Sequence, residues 1–265
     1  SKYTQAVSSA KQVMDNAGLH GFGLVDDLED LWTLAGRFSK ESMYTIAFCK
    51  QCPNNSVSNM KFSRLGLPAD LGGWNETFAE IKFFEDFPAG PRKDATYRLD
   101  LDWESFNAQK SPVFKKITGP IGDLNPGDFL TERNDFIMRY AEILLIYAEA
   151  SGLSGNVTTE SWEALNKIRR RAAGLPHGTP DPSVDITTGT IEDIAFEESK
   201  WEFAGEYKRW YDLMRREKVQ EVLSVRDDVS GTVEEHSPIV GSLGTSNYLA
   251  PIPADAVARN PNLAN

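Results

Sequence analysis

Histidine and cysteine are scarce in this sequence, at 3 and 2 of 265 residues. A catalytic or metal centre built on imidazole and thiolate has little to draw on, and the reading is of no metal and no cofactor. Basic excess is also missing: 28 Lys and Arg stand against 39 Asp and Glu, a net charge of -11. A phosphate backbone needs a clustered basic face, so this balance argues against nucleic acid as a partner and against electrostatic docking on anionic lipid. No long apolar run is present. Ile143 to Ala148, the longest such stretch on the best helix, falls far short of the roughly 20 residues a spanning helix requires. The chain opens at Ser1-Lys2-Tyr3-Thr4 without Met, a basic leader or an apolar signal core, which reads as a processed chain or part of something longer.

What is present is an ordinary globular composition, 40% hydrophobic and 25% charged, enough for one large domain or two small ones. Aromatics are plentiful, with 6 Trp, 8 Tyr and 14 Phe. Residues 3–17 carry apolar side chains at helical spacing (Tyr3, Ala6, Val7, Ala10, Val13, Met14, Ala17) and Gly18 is placed to stop the helix. Such a stripe needs a surface, so its packing partner is either later in the chain or missing. Asp26-Asp27 offers an N-cap for a short helix over 28–35, and Met43 to Phe48 reads as a strand.

Residues 49–133 change character, being rich in Gly, Pro, Asn and aromatics. They read as short strands and turns, with a short helix at 76–84, that cover a helical frame and carry specificity. The frame returns at 134–151, where Asp135, Arg139, Glu142 and Glu149 fall in one helical stripe about 80° wide. Its neighbour spans 160–173, with Trp162, Leu165, Ile168 and Ala172 on one face and Glu163, Asn166, Lys167, Arg170 and Arg171 on the other. A third block runs from Thr190, with Asp193 as a capping-box variant, to about Lys218, divided at Gly205. The Pro-containing tail, 248–265, reads as extended. The fold class is mainly α: a TPR-like layered helical frame with a loop-rich region containing short β-strands.

Three segments together resemble the SusD/RagB family. Arg139 to Ala150 (RYAEILLIYAEA) is similar to that family's RYAEvLLmyAEA helix. Glu198 to Ala204 and Arg209 to Arg215 are similar to its ERRxELAfEGhRWfDLrR block, and Pro251-Ile252-Pro253 with Asn260 to Leu263 to its PIP…NPNL signature. Weaker likeness lies at Ser42 to Phe48, Gly72-Gly73-Trp74 and Arg92-Lys93-Asp94. Ser199 stands where the family has Arg, Tyr207 where Gly is common, and Gly205 where a larger apolar residue is common. The resemblance covers essentially the whole chain but only the C-terminal half of a typical member. It therefore implies one region over 1–265: a helical frame at 1–40 and 134–220, a ligand-side region at 41–133 and a tail at 245–265. It implies non-catalytic capture of a glycan or other nutrient at the bacterial outer-membrane surface for a SusC-like TonB-dependent transporter. The lipid anchor would lie in an N-terminal segment outside this sequence, and residues 3–17 would be a helix severed from its packing partners.

Sugar binding needs an aromatic plane for the C–H face of a pyranose and planar polar groups for its hydroxyl rim. Trp74-Asn75, in a Gly-Gly turn, supplies both. Trp103, flanked by Asp102 and Glu104, is the second choice and Tyr44 the third; the Phe83-Phe84-Phe87 cluster is less polar in context. For any one of these, packing a loop against the core is the competing role. Cys49-Lys50-Gln51-Cys52 reads as a local disulfide or two free thiols, since His20, His177 and His236 are too scattered to complete a zinc site. Asp100, Asp102 and Glu104 would share a strand face, but nothing sets them apart as a glycosidase pair. Asp123-x-Asn125-x-Gly127 lacks the spacing of a calcium loop. Arg139–Glu142 and Arg209–Asp212 read as intrahelical ion pairs. The alternatives to glycan capture are a TPR-like protein-interaction scaffold and, weakest, a glycoside hydrolase.

Overall fold

A computed structural model describes residues 1–49, 77, 79–99, 112–119, 132–225 and 252–263. The chain divides into two compact units, residues 1–209 and 210–265.

In the first unit, α1 (Lys2–Asn16) starts at Ser1, whose Oγ accepts from the Thr4 amide at 3.3 Å. Its apolar stripe, with Val7, Ala10, Val13 and Met14, packs into the main core. The surface it covers belongs to α5 (Tyr140–Leu153), so a packing partner for this stripe lies later in the chain. Ala141, Leu144 and Ala148 of α5 are completely buried, because α6 (Thr159–Ala172) and α7 (Ile191–Glu202) pack on it as well. Small residues on several faces let three helices approach one axis.

The α6 helix is closed at both ends by its own sequence. Thr158 and Ser161 form a capping box, each side chain meeting the other's backbone amide at 3.2 Å. At its other end, Leu175 N donates to Arg170 O and Gly174 N to Arg171 O, both at 2.9 Å, with Gly174 at φ 73. This is a Schellman stop, which needs the left-handed residue that Gly supplies. The capping box expected at Thr190 is not formed: its side chain makes no cap bond. Gly205, at φ 77, does interrupt the helical block.

Residues 135–139 depart from the helix expected over 134–151. They form β2 (Asp135–Arg139), antiparallel to β1 (Ser42–Ile46), with Thr45 opposite Phe136 and Ile46 opposite Asp135. The local pattern has period two: Phe136 and Met138 pack into the interior while Ile137 faces out, and pairing with β1 wins over helical continuation. Leu28–Trp32 and Ala35–Phe38 form two 3-10 turns in place of the short helix at 28–35, the first capped by Asp27.

Within 49–133, the described residues form short helices and one isolated bridge, Tyr97 to Phe114, where short strands were expected. These are α2 (Ile81–Asp86), α3 (Pro91–Thr96) and α4 (Lys115–Thr118). Glu80 caps α2 by accepting from Phe83 N at 2.7 Å, and Pro91 opens α3. Phe87 and Tyr97 are buried together at 5.3 Å edge to face, and Tyr97 stacks on Phe114 at 5.2 Å. Phe87 is thus core, with Phe83 and Phe84 half-buried against it.

The second unit contains most of α8 (Arg209–Arg215), α9 (Val219–Leu223) and α10 (Ala254–Arg259), followed by a 3-10 turn at Pro261–Leu263. The tail is therefore not simply extended. Pro253 sits at the N-cap, where a missing N–H costs nothing, and Ala254, Ala256, Ala258 and Arg259 are good helix formers.

Candidate functional site

A buried charge hub joins α3 and α4 to β2, α6 and α7. Arg139, the last residue of β2, donates Nε to Glu206 Oε2 at 2.8 Å, both terminal nitrogens to Glu202 Oε1 at 3.1 Å, and Nη1 to Glu41. Its guanidinium lies between the rings of Phe203 and Trp32, 4.8 and 5.7 Å from their centroids. Arg171, at the end of α6, reaches Glu202 at 2.7 Å and the second oxygen of Glu41. Lys116 of α4 donates to Glu202 O at 2.7 Å and Glu206 Oε1 at 2.8 Å, and Arg92 of α3 to Glu198 at 2.6 Å.

Burial acts to raise the Glu202 carboxyl, but Arg171, Arg139, Arg92 and Lys116 overcome it and hold the group at about 2. Glu206 is lowered by the same contest, with Arg139 and Lys116 prevailing over burial. These carboxylates stay ionised and committed to cations. A general acid for glycoside cleavage needs the opposite, a carboxyl raised and facing a cleft. The hub holds structure and offers no acid–base pair.

Two sequence readings fail here. Arg139 does not pair with Glu142 along a helix; it is buried in the hub, while Glu142 meets Lys208 at 2.8 Å. Asp212 pairs with Arg215 at 2.8 Å, and Arg209 instead donates to Phe196 O at 3.1 Å. Likewise Asn166, Arg170 and Arg171, assigned to a polar outer face of α6, are buried. Sequence periodicity cannot find them, because their partners come from distant segments.

The residues flanking the undescribed stretches 50–76, 100–111 and 120–131 are fastened to one another. Phe48 N donates to Asn134 Oδ1 at 3.3 Å, and Asn134 Nδ2 to Arg37 O at 2.8 Å. Ala79 N donates to Pro112 O at 2.9 Å and Arg98 N to Val113 O at 3.0 Å. Arg98 Nη1 reaches Gly119 O at 3.4 Å, and Arg133 Nη2 reaches Lys116 O at 3.2 Å.

Of the site residues expected from sequence, Tyr44 is described. It stands on the outer side of the two-stranded sheet, 64% exposed, with Ile46 at 47% and Ile137 at 42%. Tyr207 is also 55% exposed and holds φ 61, a left-handed conformation uncommon for a bulky residue. Trp74, Asn75 and Trp103 lie outside the described residues, as do Asp100, Asp102, Glu104 and the stretch 123–127. Cys49 is disulfide-bonded. Among the described residues no cluster of His, Cys, Asp and Glu could hold a metal ion, and no helix is long and apolar enough to cross a membrane.

An open groove of about 690 Å³ lies along α6, with Trp162 on its wall. Its polar groups are largely spent internally: Arg170 binds Glu163 and Asp185 in two bidentate pairs, and Asn166 bonds Ile186 through both amide atoms.

The described residues define a layered, TPR-like helical protein with a small antiparallel sheet. A profile of the SusD family matches residues 106–265, and the chain belongs to that family. It is 27% identical over 291 residues to SusD-like protein P2 of Formosa agariphila, covering 98% of this chain and 55% of the relative. It thus spans about half the length of that curated relative. Among solved structures, surface glycan-binding protein A from Bacteroides uniformis superposes with a TM-score of 0.73 at 22% identity, covering 98% of this chain and 55% of that one. The corresponding protein from Bacteroides thetaiotaomicron in complex with laminarihexaose gives 0.71 at 21% identity, covering 99% and 59%. These likenesses show a shared fold.

Proposed function

We propose that this chain is the glycan-capturing part of a non-catalytic surface protein of the bacterial outer membrane. The observation that carries the reading is family membership, supported by the likeness of nearly the whole chain to a protein solved with laminarihexaose. In this reading the protein is held by a lipid anchor carried on an N-terminal segment and passes its ligand to a SusC-like TonB-dependent transporter. The helical frame over 1–40 and 134–220 faces the transporter, and the region 41–133 faces the ligand. Trp74 supplies a stacking plane with Asn75 at its edge, and Trp103 and Tyr44 extend the surface. Sugar rings bind such planes through their C–H faces, with hydroxyls meeting the polar rim. A pyranose offers little apolar area, so affinity comes from several subsites acting together.

The test is calorimetric titration of a panel of soluble oligosaccharides beginning with laminarihexaose. Trp74→Ala should weaken binding by about tenfold or more, and Tyr44→Ala by less. Equal binding by wild type and Trp74→Ala would remove the assigned site. Hydrolysis of any panel member, abolished by a carboxylate substitution, would overturn the non-catalytic reading.

A further inference from the structure

Tyr207 is held in a conformation that its side chain does not favour. Its φ of 61 lies in the left-handed region, where a Cβ crowds the following carbonyl and glycine is at ease. The neighbours on each side dictate the bend. Glu206 points inward, bonded to Arg139 and Lys116 in the hub. Lys208 instead crosses to β2, donating to Ile137 O at 2.7 Å and to Glu142 at 2.8 Å. Glycine would join these two anchors without strain. Tyrosine there is strained, and core packing does not offset it, because the residue is more than half exposed. Strain that packing does not repay is a mark of a residue with a functional contact.

A second irregularity presents an aromatic ring beside it. The register of β1 on β2 slips on both sides of Tyr44, which stands opposite Met138 while Ser42 faces Arg139 and Thr45 faces Phe136. Bulges of this kind re-aim side chains and recur next to functional sites. Tyr44, Ile46 and Ile137 are all exposed on the outer side of the sheet. Tyr207 borders them. Asp135, the register partner of Ile46, lies close enough to help burial raise the Tyr207 hydroxyl, and Lys208 bonds the Ile137 carbonyl. With about half of each exposed, these four side chains offer on the order of 400 Å². A stable protein complex covers roughly 800 Å² a side, so the patch fits a narrower ligand. Its charges narrow the choice further. Asp135 lies at the Tyr207 end, and the cation there, Lys208, is committed to Glu142. An anionic chain would be repelled, whereas neutral sugar rings can lay C–H faces on the tyrosines and donate hydroxyls to the carboxylate.

We infer that Tyr207 is a specificity-determining residue of the glycan surface, forming with Tyr44 a platform along the outer face of the sheet that takes a neutral oligosaccharide. The inference rests on the proposed glycan capture with Tyr44 as part of its surface, and adds to it a residue and the charge class of the ligand.

The experiment is calorimetric titration of the full chain with the neutral oligosaccharide panel beginning with laminarihexaose, and with a hexamer of uronate residues as the anionic probe. Tyr207→Gly should weaken binding of at least one neutral panel member about fivefold or more while raising the thermal midpoint. A residue that only supports the fold cannot give that combination, since its removal would lower both. Tyr207→Phe keeps the ring and should lose less than Tyr207→Gly. Trp74→Ala is titrated beside them. Weaker binding by Trp74→Ala with none lost by Tyr207→Gly overturns this inference alone and leaves the wider reading standing. No binding of any neutral oligosaccharide by the wild type overturns both. A lower thermal midpoint for Tyr207→Gly would assign the tyrosine to packing. Equal losses for the Gly and Phe variants would remove the stacking role, and tighter binding of the uronate hexamer would overturn the neutral class.

Discussion

Glu41 and Arg139 form an ion pair with both side chains fully buried, although they stand 98 residues apart in sequence. The pair joins the residue before β1 to the last residue of β2, and Arg171 takes the other oxygen of the same carboxylate. Removing Glu41 would leave two guanidiniums short of an acceptor in a water-poor interior. Glu41→Ala should therefore cost about 3–5 kcal/mol, the range for breaking a buried pair from one side. Glu41→Gln keeps an acceptor and should cost less. Urea unfolding measures both, and a loss for Glu41→Ala below about 1 kcal/mol would contradict a structural hub.

Acid should weaken this fold through Glu202. Its folded-state value of about 2 lies below the ordinary 4.5, so the unfolded chain binds the proton more readily. A depressed carboxyl contributes stability that is full above the unfolded value and lost as pH falls through the folded one. The window is therefore roughly pH 4.5 down to 2. Thermal midpoints at pH 7 and pH 3 should show a drop for the wild-type chain and a smaller drop for Glu202→Gln, which begins less stable at pH 7. Equal drops in the two proteins would assign the acid sensitivity elsewhere.

Two residues at one bend should respond to substitution with opposite signs. Gly205 holds φ 77, and a Cβ there would lie 2.8 Å from Phe114 Cδ1. Gly205→Ala should cost about 1–3 kcal/mol from backbone strain and the clash with a buried ring. Tyr207, at φ 61, carries a side chain where the backbone favours none. Tyr207→Gly should gain roughly 1 kcal/mol, the order of the left-handed penalty. Differential scanning calorimetry should give midpoints on opposite sides of the wild type.

How much of this was legible in the sequence depends on where each residue's partner lies. The helices α1 and α6 and the break at Gly205 are local, and apolar periodicity and glycines predict them well. The strand β2 was hidden because DFIMR runs directly into a strongly helical stretch, and only pairing with Ser42–Ile46 decides its conformation. Arg139 read as the intrahelical partner of Glu142 and Arg171 as part of a polar helix face, because Glu41 and Glu202 are remote in sequence. Phe87 and Tyr97 show the same limit in reverse: aromatics in a loop-rich stretch became core once they met Phe114. Of the residues proposed for the glycan site, Tyr44 is exposed, while Trp74, Asn75 and Trp103 lie outside the described residues.

The segment after α6 offers a sharper local test. Arg170 Nε and Nη2 hold Asp185 at 2.7 Å each, Nη1 and Nη2 hold Glu163 at 2.9 and 2.7 Å, and Nη1 also reaches His177 O. One buried side chain thereby latches residues 177–185 to the helix, assisted by Asn166 and Ile186. Lysine keeps the charge but presents a point donor in place of a planar fork, so Arg170→Lys cannot serve both carboxylates bidentately. The substitution should cost about 2 kcal/mol, the order for hydrogen bonds to charged groups. Amide exchange should localise the effect. The Ile186 N–H, bonded to Asn166 Oδ1 at 3.0 Å, should lose protection, while amides within α5 should not. Unchanged protection at Ile186 would mean that the segment is held by its backbone and asparagine contacts alone, and the latch assigned to Arg170 would fall.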